Sequence, residues 1–445
     1  LAGKTVTLTF MLWTGLEGGG PKREFRHRIQ QADLGYLHTA TDELYYLSLA
    51  VLKTIELLDD MDTTKYALTR ALDKALNQID WDPDCFYGTV DAALATLRAE
   101  LNQIHADPQV TVNVVGHTHI DVAWLWRLKH TREKAMRSFS TVLKLMNEFD
   151  EYIFLQSQPQ LYAYIQKDCP EIYEKIKQRV ADGHWEADGG MWLEADCNIS
   201  SGEALTRQFL YGMRLLNQEF GHKCEYLWLP DVFGYSWALP QILKGVGIDT
   251  FMTTKISWNQ FNTMPHDLFK WRGIDGSEVM TYFITTPEDS RPLDDRFSTY
   301  NGMVTPRTVM GNWKKFHDKN LSNETLLSYG YGDGGGGVNR TMLKMRRAMA
   351  QVPGLPKVET ARPTDFFRRV HEKIENTDQY VPVWDGELYL EYHRGTYTSQ
   401  AYNKKMNRRM EFSLAAAEWL SSMAKLAGGS YDQDALVEDW RTILR

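Results

Sequence analysis

Beyond residue 109 the chain switches repeatedly between short apolar runs and stretches of helical period, and this alternation admits few folds. The runs lie at 110–115, 153–156, 185–187, 226–229, 250–253, 279–284 and 326–329, with helical patterns at 132–149, 161–181 and 204–220 between several of them. A short run that is apolar throughout suits a strand buried on both faces, and an intervening helix lets the next strand return parallel to it. Together they predict an α/β fold: a seven-stranded parallel β/α barrel-like domain flanked by helices. In such a sheet ligands gather at the carboxyl ends of the strands. Chemistry is therefore expected just past each run.

The flanks read differently. Residues 5–10 alternate with period 2, as a strand with one buried face does. From Leu34 to His105 the pattern is helical: Leu44, Leu47, Val51, Ile55 and Leu58 recur every three to four residues behind a cap at Thr41 or Asp42, and two more helices are expected at 66–79 and 90–105. Asp107-Pro108 ends that regime. Near the far end an amphipathic helix over 401–426, stopped by Gly428-Gly429, is expected to begin a helical bundle. The chain opens at Leu1 directly in a strand pattern and is expected to be part of a longer polypeptide.

Of the 445 residues 43% are apolar and 12% aromatic, enough for a large packed core. The net charge of -8 disfavours nucleic acid and anionic lipid as partners. Apolar runs such as 47–58, broken by Ser, Lys and Glu, fall short of a membrane span. Cys85, Cys169, Cys197 and Cys224 form no C-x-x-C pair, which fits a reducing compartment better than a disulfide framework. A cytoplasmic protein is expected.

Several segments past strand ends carry reactive groups. In Gly116-His117-Thr118-His119-Ile120-Asp121 the two imidazoles and the carboxylate share one parity, so they can face one divalent ion; an ordinary polar strand end has the same composition. After 185–187, Asp188, Glu194 and Asp196 crowd a loop entered through Gly189-Gly190. Asp231 follows the next run among aromatic residues, and Glu288 and Asp289 follow 279–284. Asp333 opens the glycine run 334–337, which lacks the Lys-Ser/Thr of a phosphate loop. His393, in Glu391-Tyr392-His393-Arg394-Gly395, is alone in its segment.

Taken together, GHTHIDVAWLW at 116–126, GGMWLEADCN at 189–198, LPDVFGYS at 229–236, YGDGGGG at 331–337 and HRGTYTSQAYNKK at 393–405 resemble glycoside hydrolase family 38. These are the retaining α-mannosidases, and the likeness is to their cytosolic, vacuolar and bacterial branch. The resemblance implies a metal site of His119, Asp121, Asp196 and His393 holding zinc, with Co2+ or another divalent ion able to take the same donors. It implies Asp196 as nucleophile and Asp289 as acid/base, with Glu288, Asp231 and Asp333 as competitors for the second role. Trp124 is expected to stack on the sugar and Asp231 to bond its hydroxyls, while His117 stands behind the ligands.

The resemblance also divides the chain into the end of an N-terminal β domain (1–25), a helical linker (26–106), the β/α domain (107–380), and a segment carrying His393 and the start of a helical bundle (381–445). The substrate it implies is a manno-oligosaccharide or mannoside cleaved from its end, in the cytoplasm or a vacuole. Neither nucleic acid nor a membrane is an expected partner, and homo-oligomerisation is left open. Two other readings compete: a metal-dependent amidohydrolase, phosphoesterase or deacetylase using the His-x-His-x-Asp group to activate water, and a carbohydrate-binding fragment without turnover.

Overall fold

A computed structural model describes residues 35–445. The strand expected at 5–10 and the β-domain remnant at 1–25 lie outside the described residues. Three helices come first, α1 (Thr39–Leu57), α2 (Thr63–Leu76) and α3 (Phe86–Asn102). The first starts ahead of the expected cap because the His38 ring, at 3.3 Å, accepts from the Thr41 amide. Leu47, Val51, Leu68 and Leu97 bury the shared face of this trio.

Ten strands follow: β1 (Thr111–His117), β2 (Phe154–Leu155), β3 (Trp185–Glu186), β4 (Tyr226–Trp228), β5 (Thr250–Thr253), β6 (Leu268–Arg272), β7 (Glu278–Phe283), β8 (Glu324–Tyr329), β9 (Lys357–Thr360) and β10 (Val383–Asp385). Between and after them lie α4 (Leu128–Met146), α5 (Pro159–Asp168), α6 (Pro170–Ala181), α7 (Gly202–Phe220), α8 (Leu239–Val246), α9 (Pro306–Lys315), α10 (Arg340–Met349), α11 (Pro363–Asn376), α12 (Ala401–Leu426) and α13 (Gln433–Ile443). The fold is mixed α/β with parallel pairing through most of its sheet structure. All seven expected runs are strands.

They do not form one continuous seven-stranded ladder. One sheet runs β3-β2-β1-β8 with β9 also paired to β1, and a second runs β10-β6-β7-β5-β4. Only the bridge Gly189–Leu227 links the end of β3 to β4, because strands of two or three residues run out of ladder before they can close it. In the second sheet β6 folds back antiparallel onto β7, pairing Leu268 with Tyr282. Gly189 marks the seam: its φ of +130° suits glycine, and an added Cβ would lie 2.6 Å from the Ser157 Cβ.

The single helix expected over 161–181 is two. Pro170 has no amide hydrogen to continue the ladder and constrains the residue before it, so Cys169 sits at φ -143°, ψ 67° and the chain bends there. Beneath this pair Trp185 meets Phe154 and Phe139, with ring centroids 4.6 and 5.2 Å away, and all three are fully buried. Burying each such side chain contributes roughly 1.5–3 kcal/mol.

α12 spans the expected residues and is tied back to the loop that precedes α7. The buried Glu411 carboxylate accepts from the Ser201 amide at 3.2 Å, and Arg408 donates to the Ile199 carbonyl at 2.5 Å. Arg207 on α7 forms a two-pronged ion pair with Glu418 on α12. The loop carrying Asp196 is thereby fixed from its far side. Among the described residues no helix is long and apolar enough to cross a membrane.

Candidate active site

The site begins where β1 ends. His117 is 1% exposed, and its Nδ1 donates to the Leu155 carbonyl of the neighbouring strand at 3.0 Å. The two residues after it are pinned by the glycine-rich loop: the Thr118 hydroxyl donates to the Tyr331 carbonyl at 3.0 Å and the Asp121 amide to the Asp333 carbonyl at 2.9 Å. Gly330, at φ +128°, lies so close to the His117 carbonyl that a Cβ there would collide with it. The glycine run thus forms a backbone platform under the His-x-His-x-Asp segment.

Four carboxylates converge on His119, itself 3% exposed, or on its neighbours. Its Nδ1 donates to Glu194 Oε1 at 3.2 Å and its Nε2 to Asp121 Oδ1 at 3.3 Å, with Asp231 Oδ2 3.8 Å from Nε2. Asp231 also forms an ion pair with the buried Lys255. The Tyr300 hydroxyl and the Asn301 amide group both donate to Asp333 Oδ1, at 2.9 and 3.0 Å. Burial works against a charge on His119, but the Glu194 charge, hydrogen bonds to Asp121 and Glu194, and the Asp231 charge outweigh it and hold the pKa well above its usual value. Burial, aided by His119, pushes His117 down to about 3 against the bond to Leu155. Burial first, then the Asp231 and Asp333 charges, push Tyr300 upward.

Of these groups His119, Asp121, Glu194 and Asp231 line a cavity of about 570 Å³, whose wall also includes Asp196 and Phe233. Among the described residues two groups bring three metal-capable atoms within 4.8 Å of one another: His119 with Asp121 and Asp231, and His117 with His119 and Glu194. An imidazole with two carboxylates is a donor set suited to a divalent cation. Glu194 Oε2 and His117 Nε2 are also buried with no hydrogen-bond partner. The residues fit an ion.

The expected residues are distributed unevenly around this centre. His119 and Asp121 meet, while Asp196 and His393 belong to neither three-atom group. Asp196 lines the same cavity, but its Oδ1 accepts from the Asn198 and Ile199 amides at 2.7 and 2.8 Å, which fixes the carboxylate in its own turn. His393, at φ 60°, packs its ring 4.5 Å from Phe233 and 5.9 Å from Trp258. Neither Asp289 nor Asp333 lines the cavity: Asp289 lies 4.0 Å from Arg307, whereas Asp333 accepts from Tyr300 and Asn301. Trp124 is 59% exposed, its ring nearly perpendicular to that of Trp126 with centroids 5.9 Å apart, also off the cavity wall. Asp231, expected against sugar hydroxyls, stands inside the metal-capable group.

Residues 109–387 match the family model described as the N-terminal domain of the family 38 glycosyl hydrolases, and residues 391–445 match the alpha mannosidase middle domain. The chain belongs to glycosyl hydrolase family 38. This family 38 chain is 41% identical over 343 residues to alpha-mannosidase G of Dictyostelium discoideum, covering 77% of itself and 30% of that protein. It is 40% identical over 360 residues to alpha-mannosidase 2C1 of Homo sapiens, covering 80% of itself and 33% of that protein. It spans about a third of the length of these relatives. Its fold is like that of an alpha-mannosidase from Enterococcus faecalis V583, with a TM-score of 0.61 at 19% identity over 75% of this chain and 38% of the other.

Four residues at the family 38 site carry no role in the sequence reading. Glu194 was visible as one of three acids in its loop, but nothing local distinguishes it from Asp196. Lys255 stands two residues past β5, at the same kind of strand end that carries His119 and Asp231. Tyr300 and Asn301 carry no such signal, since their loop reaches the site only through the tertiary fold.

Proposed function

We propose that this chain carries the catalytic centre of a metal-dependent exo-α-mannosidase that removes terminal α-mannosyl residues with retention. The observation that carries the reading is one cavity, past the strand ends of a family 38 fold, walled by a metal-capable His119–Asp121–Asp231 group and by Asp196. The names of the relatives supply the substrate class. Zinc is the proposed ion, which His119, Asp121 and Asp231 would hold; Asp196 lines the same cavity. When bound, it supplies a fixed positive charge that orients sugar hydroxyls and keeps nearby carboxylates ionised.

Asp196 is the proposed nucleophile: its carboxylate attacks the anomeric carbon as the bond to the leaving oxygen breaks, and water later hydrolyses the glycosyl ester. A second carboxyl must protonate the leaving oxygen and then take a proton from that water. Asp333 is proposed for this role over Asp289, since it lies against Tyr300, whose ring centroid is 4.9 Å from that of His119. Asp289 points toward Arg307 instead. His393, packed on Phe233 at the cavity wall, is proposed to shape the sugar pocket.

The two family matches meet between residues 387 and 391, which supports a division of the chain near the expected 380/381 boundary. All four cysteines are free, which supports a reducing compartment such as the cytoplasm. The test is trapping with a fluorinated mannosyl donor followed by peptide mass spectrometry. A label on Asp196 is expected; hydrolysis with no labelled carboxylate would refute the retaining reading.

A further inference from the structure

Glu194 has a carboxylate that none of the roles above uses. Its side chain is 7% exposed, Oε1 accepts from His119 Nδ1 at 3.2 Å and from the Ser157 hydroxyl at 3.4 Å, and Oε2 is buried without a partner. Removing a carboxylate from water costs several kcal/mol unless partners replace its hydration. The two nitrogens of an imidazole point away from one another, so Glu194 sits on one side of the His119 ring and Asp121 and Asp231 on the other. The side chains of Asp121 and Asp231 are 26% and 15% exposed, against 7% for Glu194. Glu194 touches the same cavity but lies deeper, on the Nδ1 side, so an ion arriving from solvent meets the Nε2 side of the ring first.

We infer that Glu194 is a positioning residue for His119: by holding a proton on Nδ1 and fixing the ring plane, it leaves Nε2, which donates to Asp121 before an ion binds, as the nitrogen that gives up its proton and turns its lone pair to a cation shared with Asp121 and Asp231. The inference rests on the reading of His119 as a metal ligand. His117 completes the arrangement from below. Its Nδ1–H is committed to the Leu155 carbonyl and its Nε2 is buried without a partner, and the ring offers a nitrogen within 4.8 Å of ligand atoms of Glu194 and His119. A carboxylate behind a ligating imidazole fixes the tautomer and raises the basicity of the ligand, and its loss typically weakens metal binding roughly 10–100-fold.

The experiment titrates zinc into the ion-free 445-residue chain against a chromogenic chelator and records the visible spectrum of the cobalt(II) form. Glu194→Gln keeps the side-chain volume but removes the charge. Its zinc affinity is expected to fall roughly 10–100-fold, with a shifted cobalt spectrum and unchanged far-UV circular dichroism. Affinity equal to wild type would overturn the inference, and so would a loss as complete as that of His119→Ala, which would make Glu194 a ligand itself. If Glu194→Gln does not fold, Glu194→Asp, which keeps the charge but shortens the reach, is expected to weaken zinc in the same direction, and wild-type affinity there is equally fatal. A His119→Ala chain that retained its ion would instead sink the metal reading, a separate result.

Discussion

Arg207 on α7 and Glu418 on α12 meet through two hydrogen bonds of 2.8 and 2.6 Å, with the guanidinium carbon 3.9 Å from the centre of the Trp440 ring. Their side chains are 14% and 23% exposed, so the pair is only partly screened by water. A double-mutant cycle of Arg207→Ala and Glu418→Ala in urea unfolding is expected to show a coupling of about 1–2 kcal/mol. A coupling near zero would mean that α12 is held by its other contacts alone.

Glu186 on β3 is buried, and its carboxylate accepts from the Tyr226 hydroxyl at 2.6 Å and from the Thr364 hydroxyl at 2.8 Å. Burial, together with the Asp188 charge, raises its pKa from 4.5 to about 7 against those bonds. Between these two values the folded chain keeps a proton that the unfolded chain has lost, so stability is lost as pH rises through that window. The term is on the order of 3 kcal/mol. Glu186→Gln is expected to flatten this part of the stability–pH curve, measured by denaturant midpoints from pH 4 to 8.

Removal of the ion should act on folding as well as on turnover. A cation that binds only the folded state stabilises it by roughly 2.7 kcal/mol at a hundredfold excess over its Kd. Chelation is expected to abolish hydrolysis of an aryl α-mannoside and to lower Tm by several degrees in calorimetry, and zinc is expected to restore both. A Tm indifferent to chelation would contradict a site built from His119, Asp121 and Asp231.

The carboxyl assignments separate kinetically. Asp196→Ala is expected to be inactive. Asp333→Asn is expected to lose about 10²–10⁴-fold in kcat/KM on a poor leaving group, with recovery on an activated aryl mannoside plus azide. Asp289→Asn is expected to stay near wild type. The reverse ranking of Asp333 and Asp289 would return the acid/base role to Asp289.

Gly189→Ala places a methyl against Ser157 and forces a φ of +130° on a residue that avoids it. Backbone strain alone is expected to cost about 1–3 kcal/mol, read as a lower urea midpoint.

How much of this could be read from sequence depended on whether the signal was local. The buried parallel strands were visible because both faces are apolar, and β5 has the expected bounds. The polar Lys357–Thr360 and the exposed Val383–Asp385 carry no such pattern, and their pairing with β1 and β6 is decided by neighbours far along the chain. Pro170 was a local signal outweighed by helical periodicity on both sides. In the site, His119 and Asp121 share parity at one strand end, so their meeting follows from spacing. The inner position of Glu194 and the outward position of Asp289 depend on how loops fold over the sheet, and strand parity says nothing about that.

The seam at Gly189 gives the cluster a mechanical meaning. His119 and Asp121 leave a strand of one sheet and Asp231 leaves a strand of the other, while among the described residues the two sheets are joined at that edge only by the isolated bridges Gly189–Leu227 and, between the loops beyond, Cys197–Tyr235. Whatever charge settles among these three side chains acts as a rivet, and the two halves of the molecule will register its arrival or departure as a change in how freely they shear.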